Sequence, residues 1–518
     1  MSLILGIFAL CQPLIWVGGE ESVPIYAAEF FVVMGFIILS AMWVDRTLTP
    51  YVFLLATTIM FVGGRFIAYP IIGHEVFSDP NFVPIQLSDG EASRLMSKVL
   101  GGSLMVHTGY CFIRWADSKG SLWLPTHRPA PDFTLPALVL LLLSSAISIY
   151  GIIQHYAACS QLGYMSIYQD QQSDNLTRFA SIGQYGLLLG TGLAFATPRK
   201  WLQALSMMLI VSYFMAYLGL GLRSGFLALM LMGTWVVHTR FKRLNIFTVM
   251  LVPVLMVALA QLSITVGCRA QSIAVADNAA VQKQPSVDAA NVPAIVPDSV
   301  PIAIEPPITA QVEALENPVV SSEVADQGAR SLNEILQQFR QRLRLDDLAW
   351  FAYYQGSTLI YSGAAMRLEH YPATAYFQSL IPGFSQVYGR LHADIPVSDY
   401  YFPHYLAKSY SEEKYDQGFG IGWSLYSDFQ VFSGGNPIAY GLVALLFGLL
   451  LGYFLRAADS SAFVLGALIC VFLKLMLLPR SGIYSIVPYV VAYSILYWTI
   501  RFGYRITPVS LKRMICWR

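Results

Sequence analysis

What most restricts this chain is the recurrence of apolar runs long enough to cross a bilayer. A hydrocarbon core about 30 Å thick needs about 20 consecutive apolar residues in a helix, which satisfies every backbone N–H and C=O within the segment. Runs of about this length occur at 2–18, 23–44, 48–69, 95–113, 135–156, 179–197, 201–220, 221–237, 245–267, 437–455, 462–478 and 484–500. Composition supports the count: 56% of residues are hydrophobic and 12% charged, against about 25% charged in soluble domains. The expectation is therefore an all-α polytopic integral membrane protein of about twelve transmembrane helices. A net charge of +1 gives no basic excess for nucleic acid.

Short cytoplasmic loops collect Lys and Arg, so the loops orient the spans. Arg46 follows the second run, Arg114, Lys119 and Arg128 the fourth, Arg199 and Lys200 the sixth, and Arg240, Lys242 and Arg243 the eighth. Arg456 follows the tenth, and Arg501, Arg505, Lys512, Arg513 and Arg518 the twelfth. The odd-numbered exits read "GGEES", "IIGHEVFSDPNF", "CSQLGYMSIYQDQQSD" and "PRSG", acidic or nearly neutral. Both termini are then cytoplasmic, and the first run lacks the basic flank and cleavage site of a removable signal. Six cysteines, Cys11, Cys111, Cys159, Cys268, Cys470 and Cys516, show no metal-type spacing. Cys159 and Cys268 can both face outward, where a pair would be possible, but the first expectation is that they are unpaired.

Four segments follow: helices at 1–267, a linker at 268–329, an outer loop at 330–436, and helices with a basic tail at 437–518. The linker is rich in Ala, Val and Pro, without aromatics or period, and suits an extended chain. After it, Leu332, Ile335, Leu336, Phe339, Leu343 and Leu345 recur at helical spacing behind a Ser331/Glu334 capping box. Such an amphipathic helix would lie on the outer leaflet or over a cavity, or simply pack on the bundle. The stretch 376–430 is dense in Tyr, Phe and Trp among Asp, His and Arg. Aromatic faces beside hydrogen-bonding groups suit sugar rings, and an ordinary aromatic core would read the same way.

Arginine inside an apolar tract is costly unless it reaches the surface or serves function. In "YLGLGLRSGF", Arg223 falls on the tight outer turn between two runs, and Arg65, Arg178 and Arg480 also sit at outer boundaries. Helix N-termini favour anions, and guanidinium adds a two-pronged fork for phosphate oxygens. Together with Lys474, these residues describe a site for a lipid diphosphate, although any one alone could snorkel to ordinary headgroups. Glu29 lies about 9 Å below the outer start of its run, at a depth similar to that of Arg65, and the two are expected to pair. A base must be an outer acid or histidine: His74, Glu75, Asp79, Asp89 or Glu91 early, His370, His392, Asp394, Asp399, His404 or Asp428 late. Asp428 stands out because "YSDFQVFSGGNP" leads directly into a membrane run. No phosphate-binding glycine loop supports a nucleotide-driven machine.

The dozen spans, "GLRSGFLALMLMGTWVVHTRFKR", the late outer loop and "GIGWSLYSDFQVFSGGNPIAYGLVALLFGLLLGYFLR" resemble the bacterial Wzy-type O-antigen or oligosaccharide repeat-unit polymerases. The likeness covers roughly 51–500; the Ala/Val/Pro linker is not a usual element of that family. It implies a GT-C-like, metal-independent glycosyltransferase without a cofactor. Such an enzyme moves a glycan from undecaprenyl diphosphate to an incoming repeat unit at the periplasmic face of the inner membrane. It also implies a large periplasmic loop, partnership with a chain-length regulator and a flippase, diphosphate binding by Arg178, Arg223 and Arg480, and a role for Asp428 and Phe429. His404 and His74 remain alternative bases, with Arg65 and Lys474 as further phosphate ligands. An O-antigen ligase would share the architecture; a lipid-linked oligosaccharide flippase would instead line a central path with charge.

Overall fold

The computed structural model describes residues 23–78, 85–122, 132–162, 175–220, 223–241, 243–244, 345–381, 384–416 and 420–506. The runs at 2–18 and 245–267, the linker and the amphipathic stretch 331–344 lie outside them. Among the described residues the protein is helical, with only an isolated bridge, Ser78 to Gln86, in extended pairing. The membrane part begins with α1 (Val23–Asp45), α2 (Pro50–Phe61), α3 (Gly64–Ile72), α4 (Asp89–Ser118), α5 (Thr134–Leu162), α6 (Asn175–Ala196), α7 (Lys200–Gly219) and α8 (Arg223–Val236). The segment that follows contributes α9 (Leu345–Gln355), α10 (Ser357–Arg367), α11 (Ala373–Leu380), α12 (Phe384–Leu391), α13 (Phe402–Tyr410), α14 (Glu412–Asp416) and α15 (Leu425–Phe432). The chain then returns through α16 (Pro437–Ser460), α17 (Ala462–Met476) and α18 (Val487–Ile506).

Six helical stretches are long and apolar enough to cross a membrane: Val23–Asp45, Pro50–Phe77, Thr134–Ala157, Lys200–Gly219, Pro437–Ser460 and Ile483–Tyr504. Shorter apolar helices, Ile182–Ala196 and Ala462–Met476, pack among them. The protein is thus membrane-embedded and α-helical. Local chemistry sets the starts. Ser88 and Glu91 close a reciprocal capping box on α4, Asn436 caps α16 ahead of Pro437, and Ser461 caps α17. Without a hydrophobic drive between helices in lipid, close approach at small residues must hold the bundle. A Cβ on Gly448 of α16 would fall 2.1 Å from the Val106 carbonyl oxygen of α4, so the two backbones meet there.

The stretch expected as one helix over 48–69 is broken: α2 stops at Phe61, α3 restarts at Gly64, and a 3₁₀ turn (Gly73–Phe77) extends it. The break falls on the Gly63–Gly64 doublet, and a distant segment packs against it. α9 comes so close that a Cβ on Gly64 would fall 2.5 Å from the Ala352 carbonyl oxygen, and one on Gly356 would fall 2.3 Å from the Arg65 nitrogen. Cys111 and Cys470 are free, but Cys159 is disulfide-bonded to a partner outside the described residues, correcting the expectation of unpaired cysteines. Cys159 lies toward the C-terminal end of α5.

Among the described ion pairs between membrane helices, partners come from ends that the basic loops place on one side. Arg114 reaches Asp45 at 2.6 Å and Arg456 reaches Asp117 at 2.6 Å at one end, and His74 reaches Asp89 at 2.6 Å at the other.

A candidate site at the Asp428 end

α15 presents Asp428 in its first turn, where Ser424 caps the helix by accepting from the Ser427 N–H. The Asp428 side chain is fully buried. Its Oδ1 accepts from Trp423 Nε1 at 2.8 Å and its Oδ2 from the Ile483 N–H at 2.5 Å. Gly482 makes the second contact possible, since a Cβ there would lie 2.8 Å from that Oδ2. Burial raises the carboxyl from 3.8 to about 7, and the two donors offset only part of that rise. Both of its donors are neutral, and no ion pair to it occurs among the described residues.

Tyrosines surround this carboxylate. The Tyr484 ring meets Tyr401 edge-on at 5.1 Å, and Tyr401 meets His404 at 5.3 Å. His404 Nδ1 lies 3.0 Å from the Tyr415 hydroxyl, and burial lowers the imidazole's proton affinity. Burial also raises Tyr401 to about 12. Tyr185 of α6 stacks on Tyr489 of α18 with centroids 4.2 Å apart, and Lys474 Nζ sits 5.8 Å from the Tyr489 ring centre. Among the described residues no carboxylate lies within ion-pair distance of Lys474. The turn that donates to Asp428 follows the 3₁₀ turn Leu478–Arg480, where the Arg480 guanidinium lies over Phe61 at 5.3 Å.

Asp428, His404, Lys474 and Arg480 thus belong to connected elements. The other expected residues are placed differently. His74 is largely exposed, paired with Asp89 and edge-on to Tyr69. Arg65 is buried; its Nη1 donates to the carbonyls of Val76 at 2.6 Å and Ser78 at 3.0 Å, and its guanidinium covers Tyr353 at 3.7 Å. The expected Glu29–Arg65 pair does not form: Arg65 serves the 3₁₀ turn, and Glu29 Oε1 has no hydrogen-bond partner among the described residues. Arg178 lies in the first turn of α6 and Arg223 is the first residue of α8, with both side chains outside the described set.

The sequence did not single out Trp423, Tyr484, Tyr185 and Tyr489, because a buried hydrogen bond or ring stack across distant segments leaves no local pattern. Much of the aromatic density at 376–430 is core: Phe402 stacks on Trp423 with centroids 5.0 Å apart, and Tyr371 meets both edge-on. Chemically, a carboxyl of raised proton affinity among tyrosines, with Lys474 and Arg480 on adjoining elements, suits proton transfer and the binding of an anionic, ring-bearing ligand. Among the described residues no His/Cys/Asp/Glu group has the arrangement of a metal site. No protein-family model, curated protein or solved structure matches the chain.

Proposed function

We propose that this protein is a glycan polymerase of the bacterial inner membrane. It extends a polysaccharide by transferring the growing chain from one undecaprenyl diphosphate to the terminal sugar of an incoming lipid-linked repeat unit. The observation carrying this reading is the tie between Asp428 and the backbone that follows Arg480. It couples an acid able to change protonation near neutrality to a cation suited to a departing diphosphate. In this reading Arg480 and Lys474, with Arg178 and Arg223 at their helix starts, hold phosphate oxygens. Asp428, or His404 reached through Tyr401, accepts the proton of the attacking hydroxyl. The new bond joins the acceptor oxygen to the donor sugar's anomeric carbon, the carbon–oxygen bond to the diphosphate breaks, and the diphosphate leaves with its electron pair. The twelve-span, GT-C-like architecture, the cytoplasmic termini and the periplasmic outer segment belong to the same proposal.

The test is the length profile of surface glycan in cells carrying Arg480→Ala, Lys474→Ala or Asp428→Ala at matched protein levels. A polymerase predicts collapse of the ladder to single repeats, with undecaprenyl-linked units accumulating on the far leaflet. Loss of all transfer would point to a ligase, accumulation on the cytoplasmic leaflet to a flippase, and unaltered ladders from all three variants would end the proposal.

A further inference from the structure

A second surface at the same end has no place in that chemistry. α12 repeats Phe384, Val387, Tyr388 and Leu391 along one stripe, with Gly389 and Arg390 off it. Phe384 and Tyr388 turn inward, 5.6 Å from Phe377 and 5.3 Å from Tyr400 by ring centre. Val387 and Leu391 stay 58% and 74% exposed, and Phe377 and Ile381 next to them are 44% and 46% exposed. An exposed apolar patch of this kind on a membrane protein needs an occupant.

Position identifies one. α11 packs on the Ile483–Ser485 turn, which opens the candidate span Ile483–Tyr504. Tyr376 of α11 also meets Phe432 at 6.0 Å, just ahead of the span Pro437–Ser460. Two spans therefore enter the membrane beside α11, and Ile438 on the first turn of α16 is 75% exposed there. The apolar patch therefore lies on elements that adjoin the start of two candidate spans.

We propose that α11 and α12 form an interfacial foot that seats Phe377, Ile381, Val387 and Leu391 in the bilayer at the boundary between headgroups and acyl chains. Arg390, exposed beside the stripe, extends toward headgroup phosphates. The foot braces α11 against the turn that also holds Asp428, so the membrane surface supports the height of that turn.

The test uses the full chain in phosphatidylglycerol/phosphatidylethanolamine nanodiscs, with a nitroxide on Val387→Cys, Leu391→Cys or Arg390→Cys and background from the unsubstituted protein subtracted. Labels at 387 and 391 are expected to collide more with oxygen than with a water-soluble nickel chelate, and the label at 390 to show the lower oxygen-to-nickel ratio. Phe377→Cys and Ile381→Cys repeat the measurement if α12 variants do not fold. Nickel-dominated collisions at the stripe would place it in water. Poor access to both reagents would place it under protein, either the chain's own linker or a second copy. Either result overturns the foot.

Discussion

Two buried aspartates at opposite ends of the bundle have contrasting surroundings. Asp45 closes α1 among charges and hydroxyls: Arg114 Nε lies 2.6 Å from Oδ1, the Tyr110 hydroxyl donates to Oδ2 at 2.5 Å, and the Thr49 hydroxyl to the same oxygen at 3.3 Å. Asp428 has an indole N–H and one backbone N–H. With a guanidinium and two hydroxyls around it, Asp45 works as a fastener between helices. A carboxylate with only neutral donors in a buried place keeps a protonation equilibrium within biological range. The difference teaches that burial alone does not set a carboxyl's character; the charge of its neighbours decides whether it fastens helices or is left with neutral donors.

The comparison can be broken most directly by function. Asp428→Ala is expected to abolish polymer while Asp45→Ala, at permissive temperature, leaves chain length intact; a glycan ladder gel reads both. If Asp45→Ala also removed polymer in properly inserted protein, the division of roles would fail. The next largest effect is on stability. Asp45→Ala strands Arg114 in a mostly buried position and is expected to cost about 3 kcal/mol, measured by denaturant unfolding in detergent.

A third measurement follows the protonation of Asp428. Its folded proton affinity exceeds the unfolded value, so its contribution favours the fold at low pH and is lost as pH rises from 3.8 through about 7. Asp428→Asn should flatten the pH dependence of unfolding across that window, even though the variant is less stable overall. The smallest change is expected at His74. Its pair with Asp89 is open to solvent on the histidine side, so His74→Ala should cost less than about 1 kcal/mol and leave glycan length unaltered. A shortened ladder from that variant would return His74 to the list of bases.

Hydropathy made the helices legible because each one answers to its own twenty residues and to caps such as Ser88 or Asn436 within a turn of its start. The break at the Gly63–Gly64 doublet left a local mark, but its fit against Ala352 and Gly356 did not, since those residues lie far along the chain. The same division runs through the candidate site. An acid just before a membrane run drew attention to Asp428, and an apolar tract around a cation drew attention to Lys474. Neither Trp423 nor the Ile483 N–H could be read as Asp428's donor, because a backbone amide leaves no mark in composition. Arg65 shows the reverse failure: depth matched it to Glu29, but a 3₁₀ turn offered two carbonyls first.

The crossing of Gly64 with Gly356 has a consequence for biosynthesis. The second described span leaves the ribosome without the surface that packs on its kink, and that surface is made about three hundred residues later. Until α9 emerges and docks, Arg65 lacks the Tyr353 ring beneath it. The contacts that flank the kink are therefore among the last to become available as the chain is synthesised.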